Sequence, residues 1–186
     1  MLSITLDHLV ELLLDRGTQQ YDGEAVSQLD HALQAAAQAQ SQSASPSLIT
    51  ACLLHDVGHL LESQEFTVAA DCRHEYRALP LLQPLFEAAV TEPIRLHVAA
   101  KQYLCAVDPQ YWARLSVASQ QSLERQGGRF TPALAQQFAA QPFAQDAIQL
   151  RRWDDQAKVA GAPTPALVDL MPIVRGCLRP SARPTP

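Results

Sequence analysis

Capping residues mark helix boundaries throughout this sequence, whereas signals for β-strands are nearly absent. Ser45-Pro46, Thr131-Pro132 and Thr164-Pro165 each place a capping hydroxyl before a proline at the first helical position. Gly17 and Gly127-Gly128 stand where helices are expected to end. No apolar–polar alternation is sustained, and no Asn-Gly or Asp-Gly turn joins two apolar runs. The sequence therefore predicts an all-α fold.

The length of 186 residues suits one compact domain with its own core. We predict a single domain over residues 1–178 and a flexible, proline-containing tail over 179–186. Pro80 and Pro84 are expected to interrupt helical structure between the fourth and fifth predicted helices. Helices are predicted near residues 4–15, 23–41, 46–62, 73–79, 92–107, 111–126, 132–140, 142–159 and 165–175.

The net charge of −5 argues against non-specific binding to nucleic acid or to an anionic membrane. No stretch approaches the roughly 18 uninterrupted apolar residues of a spanning helix. The N-terminal segment lacks a basic region before its apolar residues, so it indicates an amphipathic helix rather than an export signal, and we expect a cytoplasmic protein. The cysteines form no CxxC pair and are interpreted as structural: Cys52, Cys72, Cys105 and Cys177.

The segment Leu-His-Asp-Val-Gly-His-Leu over residues 54–60 is the strongest chemical signal, and it lies near the end of an apolar helix. A buried carboxylate is costly without a partner, and a metal cation would hold both His55 and Asp56 in a core. Imidazole and carboxylate together favour iron, manganese or zinc over calcium. A His-Asp pair alone is common, so the other histidines decide the interpretation.

Five of the six histidines lie in apolar helical settings, and the exception is His8. Glu24 and His31 are seven residues apart on one helix face, which is either the wall of a site or a solvated surface. His97 and Lys101 also share a face, which either meets an anionic substrate or places a surface lysine beside a core histidine.

Residues 150–158 carry closely spaced charges. Arg151, Asp154 and Lys158 are separated by three and four residues, which suits ion pairs on an exposed helix. The same spacing also suits one carboxylate ligand for a metal and one guanidinium for a bound anion. The segment alone favours the exposed helix.

Taken together, these residues resemble the HD-domain superfamily, and within it the mixed-valent diiron oxygenases that cleave phosphonates, relatives of myo-inositol oxygenase. The resemblance runs from about Tyr21 to Lys158. It is carried by Tyr21-Asp22-Gly23-Glu24, Gln28-Leu29-Asp30-His31, the segments 53–59, 74–75 and 97–101, Leu115-Ser116-Val117-Ala118-Ser119, Gln126-Gly127-Gly128 and Arg151-Arg152-Trp153-Asp154. It implies an HD-domain helical bundle.

The resemblance also implies a set of metal ligands. One iron would be bound by His31, His55, Asp56 and Asp154. Asp56 would bridge to a second iron, held by His74 and His97, and Tyr21 would be a displaceable ligand. The cofactors implied are therefore two iron ions, Fe(II) and Fe(III), with O2 as co-substrate.

The substrate residues follow from the same resemblance. Lys101, Ser119 and Arg151 would hold the phosphonate, with Ser116 and Ser122 as nearby alternatives to Ser119. Glu24 would face a cationic nitrogen of the substrate, and His59 would lie near the substrate and O2. An aromatic cage for a methylated cation has four candidate walls: Tyr21, Tyr76, Tyr103 and Trp153. The segment from Leu60 to Arg73 looks short for the family, so the lid over the site is expected to differ.

The function that the resemblance implies is oxidative cleavage of the carbon–phosphorus bond of a 1-hydroxy-2-(amino or trimethylammonio)ethylphosphonate, giving phosphate and glycine or glycine betaine. The partner is then a small organophosphonate. One alternative is an HD-type phosphohydrolase, which would activate water without O2 and would not need the second set of histidines. Another is a non-catalytic signalling module, although such modules tend to lose ligands that this chain retains.

Overall fold

The computed structural model describes residues 5–21, 23–61 and 73–183, and these residues form helices without any β-strand. The all-α prediction is therefore confirmed. The helices are α1 (Leu6–Arg16), α2 (Gln28–Ser41), α3 (Pro46–Leu54), α4 (Val57–Leu60), α5 (His74–Leu82), α6 (Ala88–Val107), α7 (Tyr111–Arg114), α8 (Val117–Arg125), α9 (Pro132–Ala139), α10 (Ala144–Gln156) and α11 (Leu167–Gly176).

Two of the three capping signals begin helices as predicted. The hydroxyls of Ser45 and Thr131 accept hydrogen bonds from backbone N–H groups in the first turns of α3 and α9. The third prediction is wrong, because α11 begins at Leu167 rather than at Pro165. The Asp169 carboxylate there accepts a hydrogen bond from the backbone N–H of Ala166 and fixes the later start.

The structure divides two of the predicted helices. The helix predicted over 46–62 breaks at His55 and Asp56, between α3 and α4. The helix predicted over 111–126 breaks at Leu115 and Ser116, and the Ser116 hydroxyl caps α8. The first break contains His55 and Asp56, and the second lies just before Ser119.

Prolines end helices less strictly than the sequence predicted. Helix α5 continues through Pro80 to Leu82, and α6 begins at Ala88 and includes Pro93. Pro80 lies on the exposed side of α5, where water can satisfy the carbonyl that loses its usual donor. The start of α2 is also later than predicted, because Ser27 caps it by accepting a hydrogen bond from the Asp30 N–H.

Helix packing brings the chemically important residues to one place. Helix α6 packs against α10, α3 and α5, and α2 packs against α3 and α10. Two apolar clusters surround these contacts, one centred on α2 and α3 and the other on α6, α8 and α9. Residues near the middle of α6 and near the ends of α3 and α10 therefore face a common interior.

The C-terminal segment returns to the body of the fold. Arg179 donates hydrogen bonds to the carbonyls of Leu85 and Phe86, and Pro180–Ala182 form a 3₁₀ helix. The domain boundary at residue 178 stays a prediction. Cys52, Cys105 and Cys177 are free thiols, and Cys72 lies outside the described residues. Among the described helices, none has the length and apolar character needed to cross a membrane.

Gly58 allows α4 to lie directly against the start of α5. A Cβ at this position would lie 2.0 Å from the backbone carbonyl oxygen of His74, which is too close for two non-bonded atoms. Because glycine has no Cβ, the backbone of His74 can lie this close to the segment that carries His55 and Asp56.

We expect Gly58→Ala to destabilise the protein by about 1–3 kcal/mol, the usual range for forcing extra volume into a packed region. The matched control is Gly176→Ala in α11, where a Cβ would meet no heavy atom within 4 Å. Guanidinium denaturation followed by circular dichroism measures both variants. Equal midpoints for the two would contradict this role of Gly58.

Candidate metal centre

Imidazole and carboxylate side chains from five parts of the fold meet in one buried cluster. The structure brings together all six residues that the resemblance assigned to metal binding: His31 from α2, His55 and Asp56 from the α3–α4 junction, His74 from the first turn of α5, His97 from α6 and Asp154 from α10. Two overlapping groups have the geometry to hold a metal ion, His31 with His55 and Asp56, and Asp56 with His74 and His97.

Asp56 joins the two groups through its two carboxylate oxygens. Its Oδ1 lies 3.1 Å from Nε2 of His74 and 3.5 Å from Nε2 of His97. Its Oδ2 lies 3.4 Å from Nε2 of His55 and 3.7 Å from Nε2 of His31. Each oxygen thus faces a different pair of imidazoles, which is the arrangement of a carboxylate that bridges two cations.

The break between α3 and α4 explains how two adjacent residues reach the same cluster. Successive side chains of a regular helix diverge by about 100°, so His55 and Asp56 would otherwise point apart. Asp56 instead has φ −103° and ψ 9°, outside the helical region. This single non-helical residue turns its carboxylate towards the site that His55 already faces.

Backbone carbonyls fix the orientation of three imidazoles. The Nδ1 atoms of His31, His55 and His97 lie 2.7–2.8 Å from the carbonyl oxygens of Ala157, Cys52 and Ile94. An Nδ1–H that donates to a carbonyl leaves the Nε2 lone pair pointing into the cluster. This is the tautomer that a metal-binding histidine adopts.

The spacing of the ligand atoms fits cations placed among them. The Nε2 atoms are 3.2 Å apart in the His31–His55 pair and 3.0 Å apart in the His74–His97 pair. Metal–ligand bonds of about 2.0–2.2 Å at right angles separate neighbouring ligand atoms by about 3 Å. Both carboxylate oxygens of Asp56 are buried without a well-aligned hydrogen-bond donor, so a cation would satisfy them.

The electrostatics of the cluster favour the forms that bind metal at Asp56, His55 and His97, whereas the pKa of His31 moves in the opposite direction. Burial opposes ionisation of Asp56, but His55 and His74 outweigh it and hold the pKa of that carboxyl well below its usual value. Burial lowers the pKa of His55 and His97, so both are neutral at pH 7. For His31, the Asp154 carboxylate outweighs burial and raises the pKa.

Asp154 connects the cluster to a buried arginine. Its Oδ1 lies 3.4 Å from Nε2 of His31, and its Oδ2 lies 2.6 Å from a guanidinium nitrogen of Arg151. Arg151 also forms an ion pair with Asp155, whose carboxylate accepts a hydrogen bond from Tyr111. Residues 150–158 are therefore not the exposed ion-pair helix that the segment alone favoured.

A cavity of about 50 Å³ opens beside the cluster. Its lining includes Tyr21, which the resemblance implied as a displaceable ligand, and every residue that it assigned to substrate or to O2: Glu24, His59, Lys101, Ser119 and Arg151. The ring of Tyr21 stacks on His31, with 4.1 Å between centroids, and His59 stacks on His74 at 4.0 Å. Burial and the neighbouring His74 lower the pKa of His59 to about 3. The roles of these residues stay predictions.

Three serines, at the cap and in the first turns of α8, have different partners in and beside the cavity. The hydroxyl of Ser119 lies 2.7 Å from Nζ of Lys158, whereas Lys101 donates to Ser122. Ser116 donates to a carboxylate oxygen of Glu24. Ser119 and Ser122 both line the cavity, so the choice between them stays open.

Lys158 is the residue that the sequence analysis missed. It lies two residues beyond the end of α10 and lines the cavity, with Nζ 3.2 Å from Oε1 of Glu24. A signal was present, because the whole chain contains only two lysines, Lys101 and Lys158. Both line the cavity, whereas the twelve arginines are mostly elsewhere.

The aromatic cage suggested by the sequence is not formed by its four candidates. Only Tyr21 among them lines the cavity. Tyr76 is 49% exposed, Tyr103 packs on Phe138, and Trp153 lies in the apolar core. The segment expected to differ as a lid, within 60–73, falls largely outside the described residues.

Comparison with known proteins gives three related sequences, and no family model matches the chain. The chain is 48% identical over 177 residues to a hydroxymethylphosphonate dioxygenase from Gimesia maris, covering 93% of this chain and 88% of the relative. It is 36% identical over 165 residues to the glycine-betaine-forming [1-hydroxy-2-(trimethylamino)ethyl]phosphonate dioxygenase from Leisingera caerulea, covering 86% and 83%. An uncharacterized protein from Acanthamoeba polyphaga mimivirus is 32% identical over 156 residues, covering 81% and 71%.

The division of the cluster predicts how metal binding responds to substitution. We expect the protein to bind two metal ions, His31→Ala and His97→Ala to bind about one each, and Asp56→Ala to lose both, because Asp56 belongs to both groups. Elemental analysis by mass spectrometry after desalting measures the content. The control is His8→Ala, an exposed histidine of α1 that should leave two ions bound. Equal metal loss in the three cluster variants would contradict the two-group arrangement.

Proposed function

We propose, from the premise that this chain belongs to the HD-domain oxygenases that cleave the carbon–phosphorus bond of phosphonates, that its cluster holds two iron ions beside a bound 1-hydroxyphosphonate. Both named relatives act on a phosphonate whose carbon next to phosphorus carries a hydroxyl group. The shared chemistry of the substrate is therefore one carbon bearing both hydroxyl and phosphonate.

The observation that carries the proposal is the position of Asp56 between two pairs of imidazoles. Each of its oxygens completes a set of two histidines and one carboxylate, the ligand type found in non-haem iron oxygenases. Iron bound there supplies Lewis-acid binding of the substrate hydroxyl and one-electron chemistry with O2. Asp154 adds a second carboxylate on the His31 side.

Lys101 and Arg151 supply the positive charge that a phosphonate needs. Both are buried and line the cavity. Arg151 forms ion pairs with Asp154 and Asp155, and its planar guanidinium is of the type that binds phosphonate and carboxylate oxygens in a bidentate manner. Lys101 contacts the Ser122 hydroxyl, and burial together with Arg151 lowers its pKa to about 7. A bound phosphonate would favour the protonated form of Lys101.

Tyr21 and His59 complete the wall of the cavity next to the metal ligands. Burial, followed by the Asp56 and Asp154 carboxylates, raises the pKa of Tyr21, so its phenol stays protonated in the absence of a cation. We assign Tyr21 the role of a ligand that substrate displaces, because its ring already lies against His31. His59, neutral and half-buried, is placed to accept or donate a hydrogen bond near the bound substrate.

The direct test is phosphate release by the iron-loaded protein, measured with O2 and under argon. The substrates are hydroxymethylphosphonate, 1-hydroxy-2-aminoethylphosphonate and its trimethylammonio analogue. We expect phosphate from at least one substrate, with O2 consumed in proportion. Phosphate release that needs no O2 would favour a hydrolase, and no release from any substrate would reject the proposed function.

The proposed contact between Lys101 and the phosphonate can be tested by substitution. Lys101→Met removes a charge-assisted contact of about 1.5–3 kcal/mol, so kcat/KM should fall about 10- to 150-fold while metal content stays unchanged. The control is Arg152→Ala, an exposed cation next to Arg151 that does not line the cavity. A similar fall in both variants would show that overall charge, rather than contact with the phosphonate, causes the effect.

A further inference from the structure

An ammonium group of the protein lies at the position that the sequence assigned to a substrate cation. The Nζ atom of Lys158 is 3.2 Å from Oε1 of Glu24, 2.7 Å from Oγ of Ser119 and 5.7 Å from the centroid of the Tyr21 ring. An amino group bound to Oε1 of Glu24 would need the position that Lys158 holds. The Lys158 chain reaches them from the end of α10.

We propose that Lys158 is the permanent counterion of Glu24 and thereby selects substrates without a cationic group, of which hydroxymethylphosphonate is the smallest. This inference rests on the proposed function, because it concerns the choice of substrate at the same site. It assigns Lys158 as a specificity-determining residue and gives Glu24 a different role from the one its sequence context suggested.

The charge balance around Glu24 supports the inference. The Glu24 carboxylate already receives the Ser116 hydroxyl and the Lys158 ammonium, both at Oε1. The side chains of Glu24 and Lys158 are only 11% and 10% exposed, so water screens their charges weakly. A substrate ammonium entering here would face Lys158 at short range, and like charges held together in a site reduce binding strongly.

The rest of the cavity also suits a small substrate without a cation. A trimethylammonium group is usually recognised by several aromatic faces. Among the residues that the structure describes, Tyr21 supplies the one phenol or indole on the lining, and Lys158 lies over its ring. The lining also includes the small side chains of Ala118 and Ser119. The named relative with the higher identity, 48%, is the one that acts on hydroxymethylphosphonate.

The reaction balances for this substrate without a further reactant. Hydroxymethylphosphonic acid and O2 give formic acid and phosphoric acid. The carbon–phosphorus bond breaks, carbon is oxidised by four electrons, and O2 is reduced by the same four. The products contain two more oxygen atoms than the substrate, one on carbon and one on phosphorus. The carbon product is therefore formate, rather than the glycine or glycine betaine expected from the sequence.

The experiment compares kcat/KM for hydroxymethylphosphonate and 1-hydroxy-2-aminoethylphosphonate in the iron-loaded protein and its variants. We expect the unmodified protein to prefer hydroxymethylphosphonate by at least about tenfold. Lys158→Ala should reduce that preference at least about tenfold, because Glu24 becomes available to the substrate amine. The double variant Lys158→Ala with Glu24→Gln should lose this gain for the amine, which a merely structural role of Lys158 does not predict.

Lys158→Arg provides the conservative comparison, because it keeps a cation beside Glu24 and should retain the preference for hydroxymethylphosphonate. Circular dichroism and metal content establish that each variant folds and loads iron. A preference of the unmodified protein for the amine, or an unchanged preference in Lys158→Ala, would overturn the inference while leaving the proposed function intact. O2-dependent phosphate from neither substrate would instead reject the proposed function itself.

Discussion

The structure depends on one ionised carboxylate held in the interior between two pairs of imidazoles. Burying Asp56 is unfavourable unless cations lie close to both of its oxygens, and the protein surrounds it with Lewis bases rather than with hydrogen-bond donors. The fold and the proposed metals therefore depend on each other. Helices α2, α3, α5, α6 and α10 each bring a ligand, so bound cations would join elements that otherwise meet through apolar contacts.

Interruptions in the helices place the chemistry as much as the helices do. The non-helical Asp56 lets two consecutive residues face one cluster, and the break at Leu115 and Ser116 precedes α8, whose Ser119 and Ser122 line the cavity. Gly58 allows the close contact that sets the position of His74. The two breaks interrupt the regular hydrogen bonding of the helices. They lie where the side chains of the cluster and of the cavity come together.

The sequence predicted the helical fold, and its resemblance to the HD-domain oxygenases implied six metal ligands that the structure brings into one buried cluster. Their role as ligands stays a prediction. It did not predict the breaks at Asp56 and Leu115, because both lie inside apolar patterns typical of helices and the point of interruption depends on tertiary packing. The position of Lys158 in the cavity was not predicted for a related reason. Its spacing from Asp154 matches an ordinary surface ion pair, and only the fold shows that α10 ends where the lysine can reach Glu24.

The ion-pair partners of the charged residues explain how one cavity could bind the phosphonate with some residues and discriminate between substrates with others. Glu24 is paired with Lys158, and Arg151 with Asp154 and Asp155, whereas Lys101 contacts a hydroxyl rather than a carboxylate. Lys101 therefore offers its charge to an incoming anion at the least cost in existing ion pairs. The Glu24–Lys158 pair, already neutral, offers no such attraction to a cation. In the proposed function, the phosphonate end of the substrate would be bound by the added positive charge of Lys101, and the other end would be selected by the lack of net charge at the Glu24–Lys158 pair.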